Sequence, residues 1–152
     1  MQSNFSSFNF HDSPIYAIGF DKSASELLLD IDLIFEWVKE QDNYYSFLLA
    51  PCTIVFKNVW DIEMDISMNM DMIIDNIVRE NPTAPRNINY LPENAHEFDW
   101  KIELLQGEIS FKSIGFDFYQ RKEKTQKKTQ SLSFDERGYI SLEKSGILVG
   151  VK

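Results

Sequence analysis

Carboxylates at alternate positions are the residues with the most evident chemical potential in this sequence. Asp30 and Asp32 lie in one apolar run, and Asp61, Glu63 and Asp65 lie in another. On a β-strand, residues two apart share a face and sit roughly 7 Å from each other. If the two runs are neighbouring strands, five carboxylates share one face. Three activities suit such a face: a divalent-cation site built from oxygen ligands, an acid/base pair of the glycosidase kind, or a docking surface for a basic protein, whose association the field would speed. The plain alternative is the solvated side of a sheet, where like charges cost a little stability. Cation sites usually gather their acids in a glycine-bearing loop, and no such loop is present here.

The other candidates are fewer. His11-Asp12 places a titratable ring beside a carboxylate, a pairing suited to proton transfer or metal ligation. On an extended chain, however, the two side chains point apart, so the dipeptide reads equally well as a turn before the first strand. His96 falls in a loop between Glu93 and Glu97 and reads as solvated. Cys52, the single cysteine, follows Pro51 in an apolar stretch with no cation beside it, which suggests a buried structural thiol. One cysteine excludes a disulfide framework and a multi-cysteine zinc site. Phosphate-binding glycine motifs, a nucleophile elbow and H-E-x-x-H are all missing. The sequence therefore names no catalytic residue, metal or cofactor and points away from an enzyme.

The elements that would position these groups follow from periodicity. Residues 14–20 are β-branched and aromatic, as a strand requires. Residues 26–38 fit a strand through Leu27, Leu29, Ile31, Leu33 and Phe35, and fit a helix nearly as well; strict alternation favours the strand. Residues 46–56 are strand-like around Pro51, which argues for an edge or a bulge, and Lys57-Asn58 suggests a bend. Trp60, Ile62, Met64 and Ile66 alternate with the three acids. Met70, Ile73, Ile74, Ile77 and Val78 fit a helix at about 69–80, ended by Asn81-Pro82. Residues 81–97 read as a long loop. Phe98, Trp100, Ile102 and Leu104, a turn at Gln106-Gly107, then Ile109 and Phe111 form a hairpin, and a bulge at Gly115 accounts for the slip to Phe116 and Phe118. Residues 121–130 read as a basic polar loop, and 131–134 and 139–151 as short strands turning at 144–146.

These elements predict a mainly β, α+β fold in a single domain over residues 1–152: an antiparallel sheet curled into a sandwich or partly closed barrel, with one short helix. At 152 residues, 43% hydrophobic and 14% aromatic, the chain can build a core without disulfides or metals. The formal charge is −9, and its placement is uneven. Residues 21–80 hold 13 acids against four bases, whereas residues 81–152 are close to neutral. Such a field repels phosphate backbones and draws basic partners, so nucleic acid is not expected to bind. No apolar run approaches the roughly 20 residues of a membrane span, and no secretory leader is evident at the N-terminus. The expected location is cytoplasmic.

The order His11-Asp12-Ser13, Leu29–Trp37, Ala50–Val59, the acidic run Asp61–Asp65, Trp100–Leu104 and Gly107–Phe111 resembles small uncharacterised bacterial proteins of the kind associated with polymorphic-toxin immunity. The likeness spans most of residues 10–121; the segment from Thr125 lies outside it. It implies a strand at 26–36 and a protein that binds and neutralises a toxin domain, and it carries over no functional residue. The leading expectation is a non-catalytic immunity protein that covers a basic partner with its acidic sheet face. The competing expectation is a small ligand-binding or enzymatic β-barrel, with Trp37, Trp60 and Trp100 lining a pocket and residues 81–97 as its lid.

Overall fold

The computed structural model describes residues 9–67 and 72–148. Among the described residues, ten strands form two antiparallel sheets. The first contains β1 (Ile15–Asp21), β2 (Glu26–Lys39), β3 (Tyr45–Lys57), β8 (Gly115–Gln120) and β10 (Ile147–Leu148) in that order, with β9 (Thr125–Lys127) also on β3. The second has the order β4 (Trp60–Ile66), β7 (Gly107–Ser113), β6 (Glu97–Leu104), β5 (Ile74–Thr83). One helix of four residues, α1 (Phe134–Arg137), follows β9. The fold is mainly β and no barrel closes, as a sandwich requires.

The core lies between the sheets. Leu27, Leu29, Ile31 and Leu33 of β2, Ile54 and Phe56 of β3, and Phe116 and Phe118 of β8 meet Ile74, Ile77, Trp100, Ile102, Ile109 and Phe111 of the second sheet. Phe56 is the hinge of this packing. Its ring makes edge contacts with Trp100 and Phe111 at 5.2 and 4.7 Å, the geometry aromatic quadrupoles favour. Trp100 donates its indole N–H to the Ser113 carbonyl at 3.0 Å. The chain passes between sheets at Asn58, whose φ of 51° turns it from β3 toward β4.

Residues 26–38 are strand throughout, as their alternation requires. Pro51 is neither on an edge nor in a bulge. It sits in the interior of β3, opposite Asp32, where the partner on the other side changes from β9 to β8. Its carbonyl accepts from the Arg121 amide at 3.0 Å, so the ring nitrogen faces that same gap and no ladder bond to β2 is lost.

The helix expected at 69–80 is not present. Residues 68–71 lie outside the described set, and Ile74–Thr83 is strand. A bulge is the reason for the misleading spacing. Ile74 pairs Leu104 and Ile77 pairs Ile102, with one extra residue between them on β5. The bulge converts a strand's i, i+2 repeat into i, i+3. A second bulge at Glu80/Thr83 admits Pro82 on this edge strand. The slip at Phe111–Phe116 also has another cause: the chain changes sheet there, so Phe111 and Phe116 enter the core from opposite sides. The expected loops are shorter than their spans, since β5 runs to Thr83 and β9 occupies 125–127. Residues 131–134 lead into α1 rather than forming a strand, and of 139–148 only Ile147 and Leu148 pair, with β8.

The C-terminal segment covers the outer face of the first sheet. Leu132 packs on Ile34, Phe47 and Leu49. Ser133 caps α1 in a reciprocal arrangement with Glu136, and Gly138, at φ 79°, ends it. These two signals confine the helix to a single turn and aim its last residue, Arg137, at the sheet.

Candidate functional site

Asp30 and Asp32 project from β2 toward that covering segment, and neither is exposed at all. Arg137, 2% exposed, reaches both. Its Nη2 and Nη1 donate to Asp30 Oδ1 and Oδ2 at 2.6 and 3.0 Å, and its Nε donates to Asp32 Oδ1 at 3.0 Å. Arg121 adds a second donor to Asp30 Oδ1 at 2.6 Å and bonds Thr53 Oγ1 at 2.7 Å. The Ser141 amide donates to Asp30, and the Leu132 amide and Tyr16 hydroxyl donate to Asp32. Two carboxylates thus face two guanidiniums, with each carboxylate oxygen hydrogen-bonded. A bulge between Ile15 and Ala17 brings Tyr16 beneath Arg137, whose Cζ lies 3.7 Å from the ring centre. Burial and the bond to Asp32 push the Tyr16 hydroxyl above its ordinary range. Burial alone would lower the Arg137 guanidinium; hydrogen bonds and charge from Asp30 and Asp32 outweigh it and raise it.

This corrects the expectation for Asp30 and Asp32. They are a closed ionic clamp for the C-terminal segment, not part of an open docking face. They also belong to a different sheet from Asp61, Glu63 and Asp65, so the five carboxylates do not form one surface.

Asp61, Glu63 and Asp65 are exposed on β4, which among the described residues is an edge strand paired only with β7. A bulge between Trp60 and Glu63, with Asp61 at φ 53°, shifts the alternation there. Trp60 consequently shares the outer face with Glu63 and Asp65. Asp61 pairs Arg86 at 2.8 Å, and Arg86 lies 4.4 Å over the Trp60 ring. Its neighbour Asn87 exchanges amide hydrogen bonds with Asn58 at 2.8 and 3.0 Å, seating the 84–96 loop on this end of the sheet. The Arg86 bond holds the Asp61 carboxyl below its ordinary range.

The register reveals an acidic row that sequence inspection missed. Asp65 is opposite Glu108 on β7, and Glu108 is opposite Glu103 on β6. Three carboxylates therefore lie side by side across three strands, with Cβ atoms roughly 5 Å apart. Lys101, 3.7 Å from Glu108, is the nearby cation, and Lys112 is engaged with Asp99 at 2.5 Å. Finding this row requires the pairing of β6, β7 and β4, which no local pattern states.

His11 and Asp12 occupy a turn before β1, as the turn reading expects. They do approach, at 3.4 Å, because Asp12 adopts φ 66° and the chain is not extended there. His11 Nδ1 also lies 2.9 Å from the Asp75 carbonyl oxygen, and Asp12 accepts from Gln130 at 3.1 Å. The ring is 48% exposed and both of its nitrogens face acidic or carbonyl oxygen. His96 is exposed in its loop. Cys52 is fully buried, its thiol raised by burial, which outweighs the opposing charge of Arg121.

The three tryptophans do not line a common pocket. Trp100 is in the core; Trp37, 40% exposed, lies outside the first sheet against Phe47 and Tyr45; Trp60 lies outside the second. Two open grooves exist elsewhere. One, about 600 Å3, runs between Tyr16, Met72, Gln130 and Phe134; the other, about 720 Å3, is bounded by Glu40, Asp42, Tyr44 and Tyr45. Among the described residues, no group of three or more His, Cys, Asp or Glu is arranged to hold a metal ion. No helix among them is long and apolar enough to cross a membrane.

The fold and these sites define a two-sheet antiparallel β protein with an ionically clamped C-terminal segment. Compared with protein-family models, curated proteins and solved structures, the chain matches none.

Proposed function

We propose that this chain is a non-catalytic protein-binding module, an immunity protein of bacterial type acting in the cytoplasm, that covers a basic toxin domain with the outer face of its second sheet. The observation that carries this reading is the row Asp65–Glu108–Glu103, continued by Glu63 on β4. Like charges directly across a sheet cost stability. A partner bearing Lys and Arg relieves that cost and is steered in by the field. The same field disfavours nucleic acid. The reading asks nothing of Asp30 and Asp32 beyond holding the fold. The competing aromatic-lined barrel is not carried forward, because its three tryptophans lie apart.

The test is capture from the native host's lysate on the immobilised protein, at low and high salt, with mass spectrometry of the eluate. A basic protein retained at low salt and weakened at high salt is the expected result. Retention that ignores salt, or of acidic proteins alone, would overturn the electrostatic reading.

A further inference from the structure

The edges of the second sheet differ in a way that identifies how a partner would be held. The β5 edge carries two bulges and Pro82, devices that stop a sheet from accepting another strand. The β4 edge has one bulge, ending at Glu63; from Glu63 to Ile66 its register against β7 is regular and contains no proline. Among the described residues this strand has no ladder on its other side. Five successive residues, Asp61 to Asp65, are exposed, including Ile62 at 36% and Met64 at 41%.

We propose that the open edge of β4 takes an extended segment of a basic protein as an added strand, with cationic residues at i and i+2 facing Glu63 and Asp65 and an apolar residue between them facing Met64. The proposal rests on the basic-partner reading above and adds its mode of recognition. Backbone pairing supplies the hold and alternate side chains supply the choice. Charge selects the occupant. A second copy of this chain, pairing antiparallel through β4 in the register centred on Met64, would set Glu63 against Asp65 and Asp65 against Glu63, carboxylate against carboxylate. A strand carrying Lys or Arg meets the same positions with opposite sign. The acids thus act as a gate: they turn away like chains and admit basic ones.

The test uses three synthetic probes with the full-length protein, read by amide hydrogen exchange. The first is an acetylated, amidated Lys-Val-Lys-Val-Lys-Val-Lys peptide. The second is the same peptide N-methylated at every second residue, and the third has Glu in place of Lys. The expected result is that the first slows amide exchange within residues 60–66 at least tenfold and the other two do not. If the N-methylated peptide binds as well as the first, without protecting β4, strand addition is wrong while the acidic-face reading stands. If no peptide protects β4, this inference fails, and the lysate capture still decides the basic-partner reading separately.

Discussion

Arg137 Nη2 lies 2.6 Å from Asp30 Oδ1, and neither side chain has any exposed surface. The two residues are 107 positions apart. Their contact fastens the C-terminal segment over the first sheet, and the Nε bond to Asp32 makes one guanidinium serve two carboxylates.

Removing that guanidinium leaves two buried charges short of partners, the costly case for buried ion pairs. Arg137→Met is expected to lower unfolding free energy by about 3–5 kcal/mol. Arg137→Lys is expected to fall well short of the native protein too, since one ammonium cannot reproduce the fork. Adding Asp30→Asn and Asp32→Asn to Arg137→Met is expected to restore part of the loss. Urea unfolding of the four proteins checks this; equal stability of Arg137→Met and the parent would remove the clamp from the account.

Asp65→Lys is expected to stabilise. It replaces a like-charge neighbour of Glu108 with an opposite one, worth about 0.2–1 kcal/mol. A rise in thermal midpoint at low salt, shrinking at high salt, is the predicted outcome. A fall would show that the acidic row is not a source of strain.

Gly107 faces the same strand from β7. Its φ is 135°, and a Cβ built there would lie 2.2 Å from the Asp65 carbonyl oxygen. Gly107→Ala is therefore expected to cost about 1–3 kcal/mol, through backbone strain and displacement of β4. Chemical unfolding measures the loss, and altered amide shifts in residues 63–66 would locate it.

Glu136 sets a pH dependence. The Lys127 ammonium, the Ser133 amide and the Ser133 hydroxyl hold its carboxyl down from 4.5 to about 2. The folded value lies below the unfolded one. Its contribution is therefore complete above pH 4.5 and fades as pH falls toward about 2. The stability gap between the parent and Glu136→Gln is expected to close across that window. A gap that widened on acidification would contradict the Lys127–Glu136 pair and the cap.

Much of the strand content is legible in the sequence, because alternation survives where one face packs in the core and the other is open, as in β6 and β7. The failures share a physical cause. The bulges at Ile74/Asn76, Trp60/Glu63 and Ile34/Glu36 each insert one residue, and a one-residue insertion moves everything beyond it to the other face. Ile74 and Ile77 thus acquire helical spacing, and Trp37 and Trp60 leave the side expected of them. Asp30 and Asp32 look like a solvated face because their partners, Arg121 and Arg137, lie about a hundred residues away, one in what reads as a polar loop and the other between two short strand candidates. The acidic row is invisible for the same reason: its members, 65, 103 and 108, meet only through strand pairing.

Whether the outer face of the second sheet holds a basic partner is decided by comparing three immobilised proteins against the same native-host lysate. They are the parent, Glu63→Lys/Asp65→Lys on the second sheet, and Glu36→Lys/Glu123→Lys, an equal change of net charge at exposed positions on and over the first. Exposed substitutions of this kind leave the fold intact. The basic protein retained by the parent is expected to be lost at least tenfold from the first variant and kept by the second. Retention undiminished on Glu63→Lys/Asp65→Lys, or equal losses from both variants, would contradict the acidic-face reading.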